Sequence, residues 1–101
     1  MKHMTLSEIA DACCGIYCGD PAFLDCEVSS VAIDSRKVVK DTLFVAIKGA
    51  RVDGHSFIPQ VMEAGALCSL SEQDLGDVDY PYIRVSSCTE ALKDLAEPVS
   101  Y

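Results

Sequence analysis

Leu43-Phe44-Val45-Ala46-Ile47 is an unbroken apolar run set between Lys40-Asp41-Thr42 and a polar stretch that begins at Lys48. Five apolar residues in a row, three of them β-branched or aromatic, predict a strand covered on both faces, as in a parallel sheet clad by helices. Outward from this run, Val28–Ile33 reads as a neighbouring strand with Val31 and Ile33 on one face. Ala66–Leu70 reads as a further buried strand, Tyr82–Val85 as another, and Ile16–Cys18 as a short one.

Helical signals fall between these strands. Thr5-Leu6-Ser7-Glu8 has the spacing of a capping box, Leu6, Ile9, Ala10 and Cys13 recur at helical period, and Gly15 predicts the stop. A second helix is expected from about Ser56 to Ala64, with Ser56 as its cap, Pro59 in its first turn and Gly65 closing it. Ser87-Cys88-Thr89-Glu90 is another capping box, opening a helix that carries Ala91, Leu92, Leu95 and Ala96 and ends at Pro98. Ser71 to Asp79 is acidic and without periodicity, so a solvated loop is expected there. Strands alternating with helices imply an α/β domain with a largely parallel sheet.

The chain has 101 residues, half of them apolar, and 16 acidic against 8 basic side chains, a net charge of −8. That length supports one core, and that apolar content excludes a disordered acidic tail. The acidic balance argues against a general nucleic-acid binder. Charge is unevenly spread. Arg36, Lys37, Lys40, Lys48 and Arg51 fall in one stretch whose sole acid is Asp41, so it carries +4 and the remainder −12. No apolar run reaches the ~18 residues of a membrane span, and the amino terminus lacks a signal-peptide pattern, so the cytosol is the expected compartment. The six cysteines (13, 14, 18, 26, 68 and 88) form no Cys-x-x-Cys pair, and neither His3 nor His55 has ligand-like spacing to them. Reduced, mostly buried thiols are the expectation.

Neither a P-loop nor a dinucleotide-binding glycine fingerprint occurs, and no Ser elbow or His-Glu-x-x-His motif is present. What remains is a pair of loops. Asp34-Ser35-Arg36-Lys37 follows one predicted strand, and Lys48-Gly49-Ala50-Arg51-Val52-Asp53-Gly54-His55 follows the next. If those strands are parallel neighbours, both loops leave the same carboxyl edge, where open α/β sheets bind ligands. Ser35 offers a hydroxyl, Arg36 a fork of donors, Gly49 a close backbone approach, and Lys48 and Arg51 charge: a cradle for phosphate or diphosphate. The same residues also suit a plain solvated edge. On that reading Asp34 and Asp53 are turn residues, Arg36 pairs with Asp34 or a surface carboxylate, Gly49 and Gly54 serve positive φ angles, and His55 is a helix-start or surface histidine.

Three ordered blocks carry a resemblance: Ile33-Asp34-Ser35-Arg36-Lys37-Val38, Leu43-Phe44-Val45-Ala46-Ile47-Lys48-Gly49, and Asp53-Gly54-His55-Ser56-Phe57-Ile58. With Gly65-Ala66 and Ala91–Ala96, they resemble the amino-terminal domain of the Mur ligases, which add amino acids to the UDP-linked peptidoglycan precursor. The resemblance runs from about Thr5 to Ala96. Within the family the blocks look most like the MurF type, which joins D-alanyl-D-alanine to UDP-N-acetylmuramoyl-tripeptide. The MurE type, which adds the third residue, is the near alternative, and a free-standing nucleotide- or anion-binding module is another.

The resemblance implies a UDP-binding domain over residues 1–101, a three-layer α/β/α sandwich around a mixed, largely parallel sheet of about five strands. It implies that Ile33 and Ser35 contact the uridine and diphosphate region and that Ala50, Arg51 and Val52 approach the diphosphate. Arg36 and Lys48 are carried as further UDP-binding residues, and Asp34, Gly49, Asp53, Gly54 and His55 as supporting ones. The family has Pro-Gly in the turn before the Leu-Phe-Val strand, whereas this chain has Lys40-Asp41. No catalytic residue, metal site or cofactor is expected in this chain. ATP and magnesium would belong to the full-length ligase, whose ATP-binding and carboxy-terminal domains are expected beyond a linker beginning near Pro98–Tyr101. The expected partner is a UDP-sugar-peptide, with neither nucleic acid nor membrane, and the chain alone is not expected to turn over.

Overall fold

The computed structural model describes residues 4–47 and 53–95. Its centre is the apolar run: β5 (Thr42–Val45), fully buried along its length and flanked on both sides by parallel strands. The main sheet also contains β2 (Ile16–Cys18), β4 (Ser30–Ala32), β6 (Cys68–Ser71) and β7 (Tyr82–Arg84), in the order β2-β7-β6-β5-β4. All pairings are parallel except β2 with β7, which is antiparallel, so the sheet is mixed, five-stranded and largely parallel as expected.

Alternation along β5 divides the core between two faces. Leu43 and Val45 face a layer made by α1 (Leu6–Ala12) and α3 (Cys88–Leu95), which supply Leu6, Ile9, Cys88, Ala91 and Leu95. Phe44 and Ala46 face α2 (Ile58–Glu63), which supplies Ile58 and Val61. This is the three-layer α/β/α arrangement. Each fully buried Leu, Ile, Val or Phe stabilises it by about 1.5–3 kcal/mol.

The capping box at α1 forms in both directions: Thr5 Oγ1 accepts from the Glu8 N–H at 3.2 Å, and Glu8 Oε1 accepts from the Thr5 N–H at 3.0 Å. The box at α3 forms on one side only. Ser87 Oγ accepts from the Glu90 N–H at 3.3 Å, while the Cys88 N–H donates to Glu72 Oε2 at 2.8 Å. A carboxylate from across the loop therefore caps that helix. Ala96 and Pro98 lie outside the described residues.

Several local expectations are revised. The predicted strand 28–33 is two strands: β3 (Glu27–Val28) pairs antiparallel with β1 (Met4–Thr5) in a separate small sheet, and β4 begins after Ser29. Alternation alone cannot show such a change of partner. The stop after α1 is Cys14, at φ 53°. Gly15 has a different duty, because a Cβ there would lie 2.6 Å from Ile83 Cγ2. The predicted helix 56–64 is a 3₁₀ turn (Gly54–Phe57) running into α2, and its side-chain cap is Asp53 rather than Ser56. Pro59 in the first turn and Gly65 as terminator (φ 114°) hold. Helices also alternate with strands less than expected: β4 reaches β5 through a single 3₁₀ turn (Ser35–Lys37), and β6 reaches β7 through the irregular segment 72–81.

Asp41 fills the turn where the family has glycine. Its φ is 64°, the left-handed region that Asp tolerates better than most residues. Its carbonyl accepts from the Ser29 N–H at 2.8 Å and its N–H donates to the Gly65 carbonyl at 2.9 Å, so two backbone bonds hold the turn.

Candidate functional site at the carboxyl edge of the sheet

β4 and β5 are parallel neighbours, with Val31 opposite Leu43 and Ala32 opposite Phe44. The condition for a shared edge is therefore met: the chain leaves both strands on the same side of the sheet. β6 and β7 end there too, so four strand exits border one edge.

At the first exit, Ile33 is half-buried and packs against the α1/α3 side of the core. Asp34 caps the 3₁₀ turn, accepting from the Arg36 N–H at 2.9 Å. The same carboxylate takes the Arg36 guanidinium as a fork, Nε to Oδ1 at 3.1 Å and Nη2 to Oδ2 at 2.9 Å. These bonds from Arg36 hold the Asp34 carboxyl down to a pKa of about 2. Arg36 is otherwise almost fully exposed (87%), so the pair is a surface one and contributes little to stability. Ser35 sits half-buried in the turn, and its hydroxyl has no hydrogen-bond partner among the described residues.

The second exit begins at Ala46 and Ile47. Lys48, Gly49, Ala50, Arg51 and Val52 lie outside the described residues. From Asp53 the chain returns to the edge, where the Gly54 N–H donates to the Ile47 carbonyl at 2.9 Å. Gly54 is not there for a positive φ. A Cβ on it would fall 2.7 Å from the Ile47 nitrogen and 2.8 Å from the Ile47 oxygen, so any side chain would force the backbone apart.

His55 is not a surface residue: its side chain is 6% exposed. Its Nδ1 lies 2.6 Å from Asp53 Oδ1, and its Nε2 accepts from the Glu72 backbone N–H at 2.9 Å. Since Nε2 must be the acceptor, the proton sits on Nδ1 and points at Asp53. Asp53 also caps the turn through the His55 N–H at 3.0 Å. Glu72, in the segment whose sequence predicts a solvated loop, joins this group twice, through its N–H to His55 and its carboxylate to Cys88. A residue with no periodic context carries no sequence signal for such a role.

Concave surface lies elsewhere as well. A cleft of about 350 Å³ lined by Pro59, Met62, Glu63, Asp79 and Tyr80 sits where the chain enters β6 and β7, away from this edge. The six thiols are free, and burial pushes those of Cys68 and Cys88 up to about 12 and that of Cys13 to about 11. Among the described residues no group of three or more His, Cys, Asp or Glu is placed to hold a metal ion, and no helix is long and apolar enough to cross a membrane.

Comparison with known proteins draws these observations together. Residues 33–37 and 53–55 border one edge of a sheet whose fold superposes on "Crystal structure I of MurF from Acinetobacter baumannii" with a TM-score of 0.83 and 26% identity, covering 94% of this chain and 20% of that one. In sequence, the chain is 44% identical over 75 residues to a UDP-N-acetylmuramoyl-L-alanyl-D-glutamate–2,6-diaminopimelate ligase of Bacillus velezensis, covering 74% of this chain. It is 38% identical over 94 residues, 93% of its length, to the ligase of the same name from Listeria innocua. It spans only 15% and 18% of the length of those two relatives. The family described as "Mur ligase family, catalytic domain" matches residues 27–99, most of the described fold, and the chain belongs to the Mur ligase family.

Proposed function

We propose that this chain is the amino-terminal substrate-binding domain of a Mur ligase and grips the UDP end of a UDP-N-acetylmuramoyl-peptide at the carboxyl edge of its sheet. The observation that carries the reading is the parallel pairing of β4 with β5, which brings the Asp34–Lys37 turn and the Asp53–His55 turn to one edge. Ile33 forms an apolar wall there, and the Ser35 hydroxyl, with no partner among the described residues, is available to a diphosphate or ribose oxygen. Asp34 already takes the Arg36 Nε and Nη2 donors and offsets the charge, which leaves Nη1 as the arm that can reach an anion and makes Arg36 a weaker contact. The cationic residues Lys48 and Arg51, with Ala50 and Val52, complete the grip in this proposal. Binding energy collected at the UDP end, remote from the peptide carboxylate, serves to orient that carboxylate for ATP-dependent activation by the rest of a full-length ligase.

The acceptor step has two readings. Fold likeness to MurF structures favours the D-alanyl-D-alanine-adding type over 94% of the chain. The higher sequence identity, 44% and 38%, is to enzymes named as diaminopimelate ligases, and it favours the MurE type. We take the second reading for the acceptor, because it rests on greater identity. UDP binding is common to both.

The test is a thermal-shift and calorimetric titration of the chain with UDP-N-acetylmuramoyl-L-alanyl-D-glutamate, UDP and inorganic phosphate. Stabilisation by the first two and not by phosphate is expected, and no stabilisation at millimolar ligand would refute the reading. Ser35→Ala should weaken binding by about 1 kcal/mol through one lost hydrogen bond. Incorporation of labelled diaminopimelate against labelled D-alanyl-D-alanine by the full-length ligase separates the two acceptor types.

A further inference from the structure

The strand ladder between β5 and β6 runs out at the Ala46 N–H to Leu70 carbonyl bond of 3.1 Å. Beyond it both chains run on to the edge of the proposed UDP site. Among the described residues, His55 makes the next crossing: its Nε2 takes the Glu72 N–H at 2.9 Å while its Nδ1 holds Asp53 Oδ1 at 2.6 Å. Glu72 passes the link on, because its Oε2 accepts the Cys88 N–H at 2.8 Å where α3 begins. On the other side, Gly54 ties the same turn to Ile47. One imidazole thus joins the exits of β5 and β6, and through Glu72 the exit of β7.

We infer that His55 is a positioning residue for UDP recognition: a strut whose two ring nitrogens hold three strand exits as one frame. It is not a catalytic base, since both nitrogens are engaged and the ring is almost wholly buried. A free surface histidine would leave the Asp53–Phe57 turn able to swing relative to Glu72. With the strut in place that freedom is lost before ligand arrives, and preorganisation of this kind lowers the entropic cost of binding. The inference rests on the UDP-binding reading.

Three substitutions dissect it. His55→Ala removes both bonds, His55→Asn keeps a donor at the Nδ1 position, and His55→Gln places an acceptor at the Nε2 position. Calorimetry with UDP-N-acetylmuramoyl-L-alanyl-D-glutamate and hydrogen exchange at the Glu72 amide are read on each. His55→Ala and His55→Asn should raise Kd by about tenfold and speed Glu72 exchange, and His55→Gln should recover Kd to within about threefold. Val61→Ala, on the buried side of α2, is the control that lowers Tm without touching the strut.

A wild-type Kd in His55→Ala, or a loss no larger than in Val61→Ala, would overturn the inference. So would unchanged Glu72 exchange in His55→Ala. If His55→Ala does not fold, the contrast between Asn and Gln decides: equal Kd values refute the strut. Failure of the wild-type chain to bind the UDP ligand refutes the UDP reading and this inference with it, and is distinguishable because Glu72 exchange still reports the strut.

Discussion

Gly54→Ala adds one methyl group where the chain leaves β5, and the structure sets its cost. The new Cβ would lie 2.7 and 2.8 Å from the Ile47 nitrogen and oxygen and 3.2 Å from the Ala46 Cα. Ordinary contact is about 3.5–4.0 Å, so the turn must back away by roughly 0.7 Å. The obstructing atoms are backbone just past the end of β5 and cannot rotate aside. Overpacking of this kind costs about 1–3 kcal/mol, and the Gly54–Ile47 hydrogen bond, worth about 1 kcal/mol, is stretched or lost. Reduced entropy of the unfolded chain returns about 0.4–1 kcal/mol. The net loss is about 1–3.5 kcal/mol, a fall in Tm of roughly 4–28 °C for a domain of this size. Thermal and urea unfolding measure it, with Ser56→Ala in the same turn as the control, expected to change stability by under about 1 kcal/mol. Binding of the UDP ligand should fall further than stability, because the displacement pulls His55 from Glu72. A Tm within 2 °C of wild type would refute the close-approach argument, since even about 1 kcal/mol moves Tm by roughly 4 °C or more.

Asp41→Gly should leave Tm within a few degrees of wild type, because the roughly 1 kcal/mol relieved at φ 64° is largely offset by about 0.4–1 kcal/mol of unfolded-chain entropy that glycine adds; a large fall in Tm would mean the Asp side chain holds the turn. Arg36→Ala should raise the Asp34 pKa from about 2 toward the ordinary carboxylate value near 3.9, read by carboxyl carbon NMR. Because the folded value is the lower one, Asp34 contributes stability that is present above about pH 4 and lost as pH falls through about 2; in Arg36→Ala that acid dependence should shrink. An Asp34 titration unchanged by the substitution would show that the fork does not form in solution. Alkylation at pH 8 should modify exposed Cys14 first and leave Cys13, Cys68 and Cys88 unreacted in the folded chain, their thiols being held up at about 11 to 12. Mass-spectrometric mapping that finds Cys68 labelled as fast as Cys14 would contradict the burial.

The apolar run 43–47, the capping box at Thr5 and Glu8, and the Gly65 terminator belong to the local order of residues, and the elements they specify are where the sequence puts them. Period and capping are written in neighbouring positions, so sequence alone determines a covered central strand, flanking helices and an α/β class. The three ordered blocks likewise marked the family. What local order cannot express is the choice of partner. Ser29 divides one alternating stretch between two sheets, and β2 joins the main sheet antiparallel, because each strand pairs where distant residues offer a matching edge. Cys14 and Asp41 take left-handed backbone because the segments they connect leave no other path.

The site divides in the same way. Its loops, and the cationic stretch from Arg36 to Arg51 within an acidic chain, are visible in the residues themselves. Whether Arg36 is occupied, whether His55 is a surface group or a strut, and that Glu72 belongs to the site at all depend on which atoms meet across the sheet edge. Those meetings are between residues 17 and 16 positions apart, His55 with Glu72 and Glu72 with Cys88. Only the parallel stacking of β5, β6 and β7 brings them within hydrogen-bond reach, and a hydrogen bond depends on distance in space rather than on separation along the chain.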